Sequence, residues 1–437
     1  MEEENIPLSS EAPVLHCLSL CQRDLRVLNI RGVYMKAVVY YGVGDIRLEE
    51  IDDPQINSPT DALVRLTASG ISGTDLHIVR GRMGTMLEGT VLGHEGVGIV
   101  EAVGAEVRNL VPGDRVVIPS SIACGYCVYC RAGYYSQCDN ANPNGKLSGG
   151  AYFGGPQISG PFQGLQAQKA TIPFANVGPV KIPPQISDDQ AVMLSDILPS
   201  GFYAAELAEI RQGDTVAVFG CGPVGLFAIW SAWYFGAGRV LAVDSIPTRL
   251  EMARMQGAEI INFDQDDPVE IIHTLTGGIG VDRVIDAVGV DAHAAHSGPA
   301  AQQSQLHRKE FDDEIKQVQT GGQEVKSNWS VGDAPSQALR WETEAIDKAG
   351  TLAVVGLYPQ SAQFFPFGVA LNKNLTIKMG NCDHHRIIPQ LASLIQTGVI
   401  DPLNILDQSV EKFDSVVDAY HNLDSGSRAK IEIVPGQ

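Results

Sequence analysis

Basic residues are scarce in this chain. Of 437 residues only 31 are Lys or Arg, against 51 Asp or Glu; the formal net charge is -20, and no Lys/Arg block occurs anywhere. Such a balance repels phosphate backbones and anionic lipid surfaces, which argues against nucleic acid and membrane partners. A leader of the usual kinds is lacking too. MEEENIPLSSEAPVLHCLSLCQ starts acidic and has no basic stretch followed by an apolar core and a small-residue cleavage site, so the cytoplasm is the expected compartment. The one uncharged run of roughly bilayer length, Ala217 to Gly238, is interrupted by Gly220, Gly222, Pro223, Gly225 and Gly236. These divide it into a short strand, a turn and a buried helix, as in a soluble α/β core.

Eight cysteines are present, and four of them, Cys124, Cys127, Cys130 and Cys138, fall in CGYCVYCRAGYYSQC. The C-x2-C-x2-C-x7-C spacing lets one short lobe wrap four thiolates around a tetrahedral Zn2+, leaving no position for water. A closed, structural site follows, one that folds a loop and performs no chemistry. Four cysteines also suit an iron–sulfur centre, but the bacterial ferredoxin run ends in x3-C-P, whereas this one continues into Asp139 and Asn140. Tight thiol clusters in an acidic chain without a leader are metal sites more often than disulfides. His16, Cys17 and Cys21 form a looser group with no fourth ligand nearby. They lie in residues 1–34, which read as an extension ahead of the alternating strand that starts at Met35.

The length suggests two or three domains with sizeable cores. From Ala37 to about Gly160, Val/Ile runs punctuated by Gly, Pro and Asp predict a mainly β region of short strands. Asp188 to Ile210 turns helical, and then DTVAVFGCGPVG, RVLAVD, VDRVIDAVG and GTLAVVGLY alternate with helical segments. That alternation predicts an α/β, Rossmann-type doubly wound parallel sheet. Between about 291 and 347 the alternation stops in a polar, Gln-rich stretch, expected to be a long loop with a function or no fixed structure. The rhythm resumes at Gly350, so this is an insertion and not a domain boundary.

Gly220-Cys221-Gly222-Pro223-Val224-Gly225 follows the apolar run Thr215 to Phe219 and opens an apolar helix. A G-x-G-x-x-G in that context lets backbone amides approach a pyrophosphate at a helix N-terminus. Asp244 ends the next strand 19 residues after Gly225, where a carboxylate accepts from both ribose hydroxyls and repels a 2'-phosphate; NAD is favoured over NADP. Arg249 is expected to flank the adenine.

Ser72-Gly73-Thr74-Asp75-Leu76-His77, Gly93-His94-Glu95-Gly96, the cysteine lobe, Leu194-Ser195-Asp196-Ile197-Leu198-Pro199 and the glycine turn resemble, together, the zinc-dependent medium-chain alcohol dehydrogenases. The resemblance runs from about Met35 to the end, apart from the insertion. It implies a mainly β GroES-like catalytic domain at 35–200, a coenzyme domain at 201–371 carrying the insertion at 291–347, and a return to the catalytic domain at 372–437. LSDILPSG and the insertion look like the branch of glutathione-independent formaldehyde dehydrogenase and formaldehyde dismutase. In that branch an aspartate is the third ligand of the catalytic zinc, and the insertion covers the adenine end of NAD.

Carried over, His94 and Asp196 are zinc ligands, Glu95 lies behind the metal and Asp75 orients the His94 ring. Thr74 passes the substrate proton through the ribose to His77. Gly73, Thr74, His77, Val288 and Leu357 join Gly220, Gly222, Pro223, Val224, Gly225, Asp244 and Arg249 around the coenzyme. The resemblance thus implies an NAD-dependent oxidoreductase acting on a small alcohol or aldehyde, formaldehyde included, with structural and catalytic Zn2+. A homo-oligomer, dimer or tetramer, is the expected assembly.

One position departs from the family. Its first ligand is a cysteine, and here it is Ser72. A neutral hydroxyl is a weaker donor than a thiolate, so the ligand set brings one negative charge in place of two. Three outcomes are open: zinc kept with Ser72 or water, Glu95 as substitute ligand, or an empty site. The last would make the chain a catalytically silent or zinc-free NAD-binding protein.

Overall fold

The computed structural model describes residues 34–84, 86–145, 148–319 and 329–436. The group His16, Cys17 and Cys21 lies outside the described residues.

Alternating Val, Leu and Ala residues in Ala62–Ile71 bury every second side chain and seed the β-rich half. Around this strand runs a seven-stranded sheet in the order Val180–Lys181, Arg115–Ile118, Gly96–Val103, Ala62–Ile71, Lys430–Val434, Gln408–Lys412, with Lys169–Ile172 also paired to Ala62–Ile71. The chain's last strand returns antiparallel to Ala62–Ile71, placing Ile431 opposite Ile71 and Ile433 opposite Ser69.

The second half is a parallel sheet. Its spatial order is Glu259–Asn262, Arg239–Asp244, Thr215–Phe219, Val281–Asp286, Ile346–Val354, Thr376–Met379, the doubly wound arrangement whose ligands sit where strand order reverses. The strand Thr376–Met379, a few residues past 371, pairs with Ile346–Val354. Its short, half-exposed sequence TIKM carries little apolar signal, which is why it reads as part of the returning segment.

The uncharged run splits as expected into the strand Thr215–Phe219 and the 13-residue helix Pro223–Phe235. No helix among the described residues is long and apolar enough to cross a membrane. That helix packs against Ile197–Leu207. The two approach closely at Gly201, where a Cβ would come within 2.6 Å of the Phe227 Cβ. Val97 and Val117 of the β-rich sheet share one core with Ile197, Phe202, Val218 and Leu226, so the two halves are joined by buried apolar surface.

The insertion differs from the expected structureless loop. It folds into helices Gly298–Leu306, Arg308–Val318 and Gln337–Ala345. Apolar residues are few, but Phe311, Ile315 and Val318 recur at helical spacing, and Phe311 and Val318 are buried; a narrow stripe suffices when a neighbouring segment covers it. Buried Glu314 accepts hydrogen bonds from the Ser336 amide (3.1 Å) and hydroxyl (2.8 Å), fastening the second helix to the turn before the third.

Candidate functional site

Ser72 caps the helix Gly73–Val79: its hydroxyl accepts from the Thr74 amide at 3.1 Å, and Asp75 accepts from the Ser72 amide at 2.9 Å. This reciprocal box fixes two groups of the site at once. The other Asp75 oxygen lies 3.4 Å from His94 Nδ1, so Asp75 orients the imidazole and leaves Nε2 facing inward, 3.1 Å from Ser72 Oγ and 3.5 Å from Asp196 Oδ2. Asp196 reaches that point because the helical segment predicted over 188–210 breaks there. Helix Asp188–Ser195 ends and Ile197–Leu207 begins around Asp196, whose φ of -148° and ψ of -63° are not helical.

His94 Nε2 thus stands from Ser72 Oγ and from Asp196 Oδ2 at separations near the ~3.3 Å expected around a tetrahedral ion with N and O ligands at 2.0–2.1 Å. The Glu95 carboxylate comes within 4.8 Å of His94 and Asp196. One of its oxygens pairs with the fully buried Lys430 ammonium, while buried Oε1 has no hydrogen-bond partner. A buried carboxylate oxygen without a donor is costly unless a cation faces it. The donor set therefore fits Zn2+. The carboxylates around His94 favour a cation here, whether a proton or a metal ion. Burial pushes the His94 imidazole down, but Asp75 and Asp196 outweigh it and hold it well above its ordinary value. Burial likewise pushes Asp196 up, yet His384 and His94 keep it well below the carboxylate range.

Two members of this centre were invisible in the sequence. His384, at the start of helix His384–Gln396, places Nε2 2.9 Å from Asp196 Oδ1, and Ser120 donates to the same oxygen at 2.8 Å. Lys430, delivered by the last strand, also donates to the Ile71 carbonyl at 3.1 Å. The adjacent histidines of DHH at 383–385 are the only local hint.

The four cysteines converge as expected. Their sulfurs lie within 4.8 Å of one another and all four residues are buried. Cys127 and Cys138 Sγ are 4.0 Å apart, against ~3.8 Å for thiolates at 2.3 Å from one tetrahedral zinc. Amides of Cys124, Cys127 and Cys130 donate to neighbouring sulfurs at 3.2 to 3.4 Å, a pattern that stabilises thiolates. The lobe is anchored through Ser136, whose amide and hydroxyl both donate to Asp383 at 2.9 Å. Asp383 immediately precedes His384.

One cleft of about 550 Å³ connects the metal-ligand end with the glycine turn, within the usual range for small-molecule sites. Gly73, Thr74 and His77 line it near Ser72; Gly220, Gly222, Pro223, Val224, Asp244, Arg249, Val288 and Leu357 line the coenzyme end. Gly225 lies behind the turn. A Cβ there would sit 1.8 Å from the Gly220 carbonyl oxygen, so only glycine permits this close strand–helix approach. Asp244 accepts from the Cys221 amide at 2.8 Å and from the Ser245 and Ile246 amides at 2.7 and 2.9 Å, which pins its carboxylate beside the turn. His77 Nδ1 faces Asp291 Oδ2 at 3.4 Å. Asp291 also binds Arg80 and lies 3.7 Å from Arg82 Nε, a buried network the sequence did not announce.

The alcohol dehydrogenase GroES-like domain family matches residues 58–183, and the zinc-binding dehydrogenase family matches residues 223–298. The chain is 37% identical over 376 residues to an uncharacterised zinc-type alcohol dehydrogenase-like protein of Bacillus subtilis, covering 85% of this chain and 92% of that one. It is 31% identical over 424 residues to a glutathione-independent formaldehyde dehydrogenase of Pseudomonas aeruginosa, covering 92% and 97% respectively. Among solved structures it resembles the alcohol dehydrogenase TADH from Thermus sp. ATN1, with a TM-score of 0.73 at 33% identity over 92% of this chain and 99% of that one. With this similarity extending over nearly the whole length of its relatives, the chain belongs to the zinc-type alcohol dehydrogenase family.

Proposed function

We propose that this member of the family is an NAD-dependent oxidoreductase that moves a hydride between the nicotinamide and the carbon of a small alcohol or aldehyde, formaldehyde among them. The observation that carries the reading is the single cleft running from the glycine turn and Asp244 to Ser72, His94 and Asp196. When bound, Zn2+ would polarise the substrate oxygen and the nicotinamide would exchange the hydride. His94 and Asp196 would hold the ion, with Ser72 or water beside them and Glu95 Oε1 within reach. Half-buried Thr74, on the cleft wall, would receive the proton of a substrate hydroxyl. His77, held by Asp291, would pass it outward through the ribose. Asp244 would select NAD by repelling a 2'-phosphate. The similarity to the Pseudomonas formaldehyde dehydrogenase supports a small aldehyde as substrate.

A specific observation keeps a second reading in play. Ser72 Oγ already accepts from Thr74 and bonds His94, and a serine so engaged suits a silent NAD binder as well as a weak ligand. Zinc per subunit, measured on purified protein together with NADH formation on short alcohols and formaldehyde, decides. Turnover and a zinc ion that His94→Ala abolishes are expected beside the zinc of the cysteine lobe. No His94-dependent zinc, bound NAD and no turnover would establish the silent protein.

A further inference from the structure

Just past Asp291, on the lining of the same cleft, lies a second group of ligand-type side chains. His293 and His296 sit in the irregular segment between Asp291 and the helix Gly298–Leu306. Asp333 comes from the far side of the insertion, just ahead of helix Gln337–Ala345. One nitrogen of each histidine and one oxygen of Asp333 lie within 4.8 Å of one another. The arrangement is braced: Asp333 Oδ1 accepts from the Ala294 amide, between the two histidines, at 2.9 Å, and Oδ2 accepts from Arg308 at 2.7 Å. The His296 amide donates to Asp264 at 2.8 Å, fixing the backbone while the exposed ring stays free.

We propose that His293, His296 and Asp333 form a further metal site, in which Zn2+ held by two imidazoles and one carboxylate ties the two ends of the insertion together at the rim of the cleft. Two imidazoles and a carboxylate are a ligand set zinc takes with its fourth position left to water. The ring centroids are 6.5 Å apart, against about 5 Å for two imidazoles on one tetrahedral ion with nitrogen at 2.0–2.1 Å. A side-chain rotation of exposed His296 covers that difference without moving the braced backbone. Because residues 293 and 333 stand at the two ends of a segment whose middle is polar, an ion joining them closes a long loop, the situation in which a clip restricts the chain most.

Zn2+ binding by these residues does not require the ligands around Ser72, and separate variants at the two places distinguish them. Zn2+ is titrated into the purified protein against a chromophoric chelator, in parallel with His296→Ala and with His94→Ala. Unmodified protein should bind one equivalent more than His296→Ala, and this extra equivalent should persist in His94→Ala. Zn2+ should raise the melting temperature of the unmodified protein, and His296→Ala should lose that increment. Among the described residues exposed His296 makes no side-chain hydrogen bond, and His293→Gln supplies a second variant with the same expected loss. Equal zinc uptake by unmodified protein, His296→Ala and His293→Gln would overturn the proposal. So would an extra equivalent that disappears in His94→Ala, since it would then belong to the Ser72 end of the cleft.

Discussion

The cysteine lobe and the Ser72–His94–Asp196 centre offer ligands to an ion in opposite ways. The lobe draws four like ligands from residues 124–138, and neighbouring amides within the same loop support their sulfurs. The other centre gathers unlike ligands from residues 72, 94 and 196, and its supports, His384 and Lys430, lie far off in the chain. A site closed by a local loop commits its metal to folding. A site assembled from distant parts of the chain can be left open on one side, which is what chemistry requires. The two are linked through Asp383 and His384, neighbours that hold the lobe on one side and Asp196 on the other.

The strongest way to break this contrast is Cys127→Ser. Binding of a structural zinc is worth on the order of 10 kcal/mol in small domains, so this change should cost several kcal/mol of stability, seen as lost soluble yield and a lower melting temperature. A variant with normal stability but no hydride transfer would reverse the roles of the two centres.

Next in size is Lys430→Met. It leaves the Glu95 carboxylate fully buried without its cation, a change expected to cost about 3–5 kcal/mol in urea denaturation. Adding Glu95→Leu should recover most of that loss, because an apolar pair replaces an ion pair. A single variant as stable as the parent would mean that the dispersed supports contribute nothing to the centre.

Ser72→Cys sharpens the comparison by giving the open site a thiolate of the kind the lobe uses. Zinc retention there should rise by roughly tenfold or more, each factor of ten being 1.4 kcal/mol, and turnover should rise if Thr74 and His77 are correctly placed. Equal retention and turnover in the parent would show that the hydroxyl is no handicap.

The smallest effect is expected at the coenzyme turn, which like the lobe is local in construction. Asp244→Ala removes the acceptor for the Cys221 amide and should weaken NAD by roughly tenfold, about 1.4 kcal/mol, while narrowing the gap to NADP. Titration of both coenzymes into the parent and the variant measures it, and a parent that prefers NADP would refute the role of Asp244.

Much was legible in the chain because it rests on short-range rules. The cysteine spacing, the glycine turn between a strand and a helix, and the parallel α/β alternation each operate within one or two elements, where peptide geometry leaves few alternatives. Asp196 was placed through family resemblance, and the structure supplies its cause, a helix break that local propensity did not mark. The insertion was misread as a loop because its polar composition concealed a narrow apolar stripe at Phe311, Ile315 and Val318.

The tertiary structure alone decided which distant groups meet: Lys430 beneath Glu95, His384 against Asp196, Asp291 beside His77, and Asp333 between His293 and His296. These contacts depend on the antiparallel return of the final strand and on two ends of an insertion closing on each other. Sequence by itself determined the elements and the ligand types they carry, because dihedral preferences and side-chain chemistry act locally. The charges around those ligands were left to the packing, because the energy of a buried ion pair depends on distance and burial, and neither exists until the chain has folded.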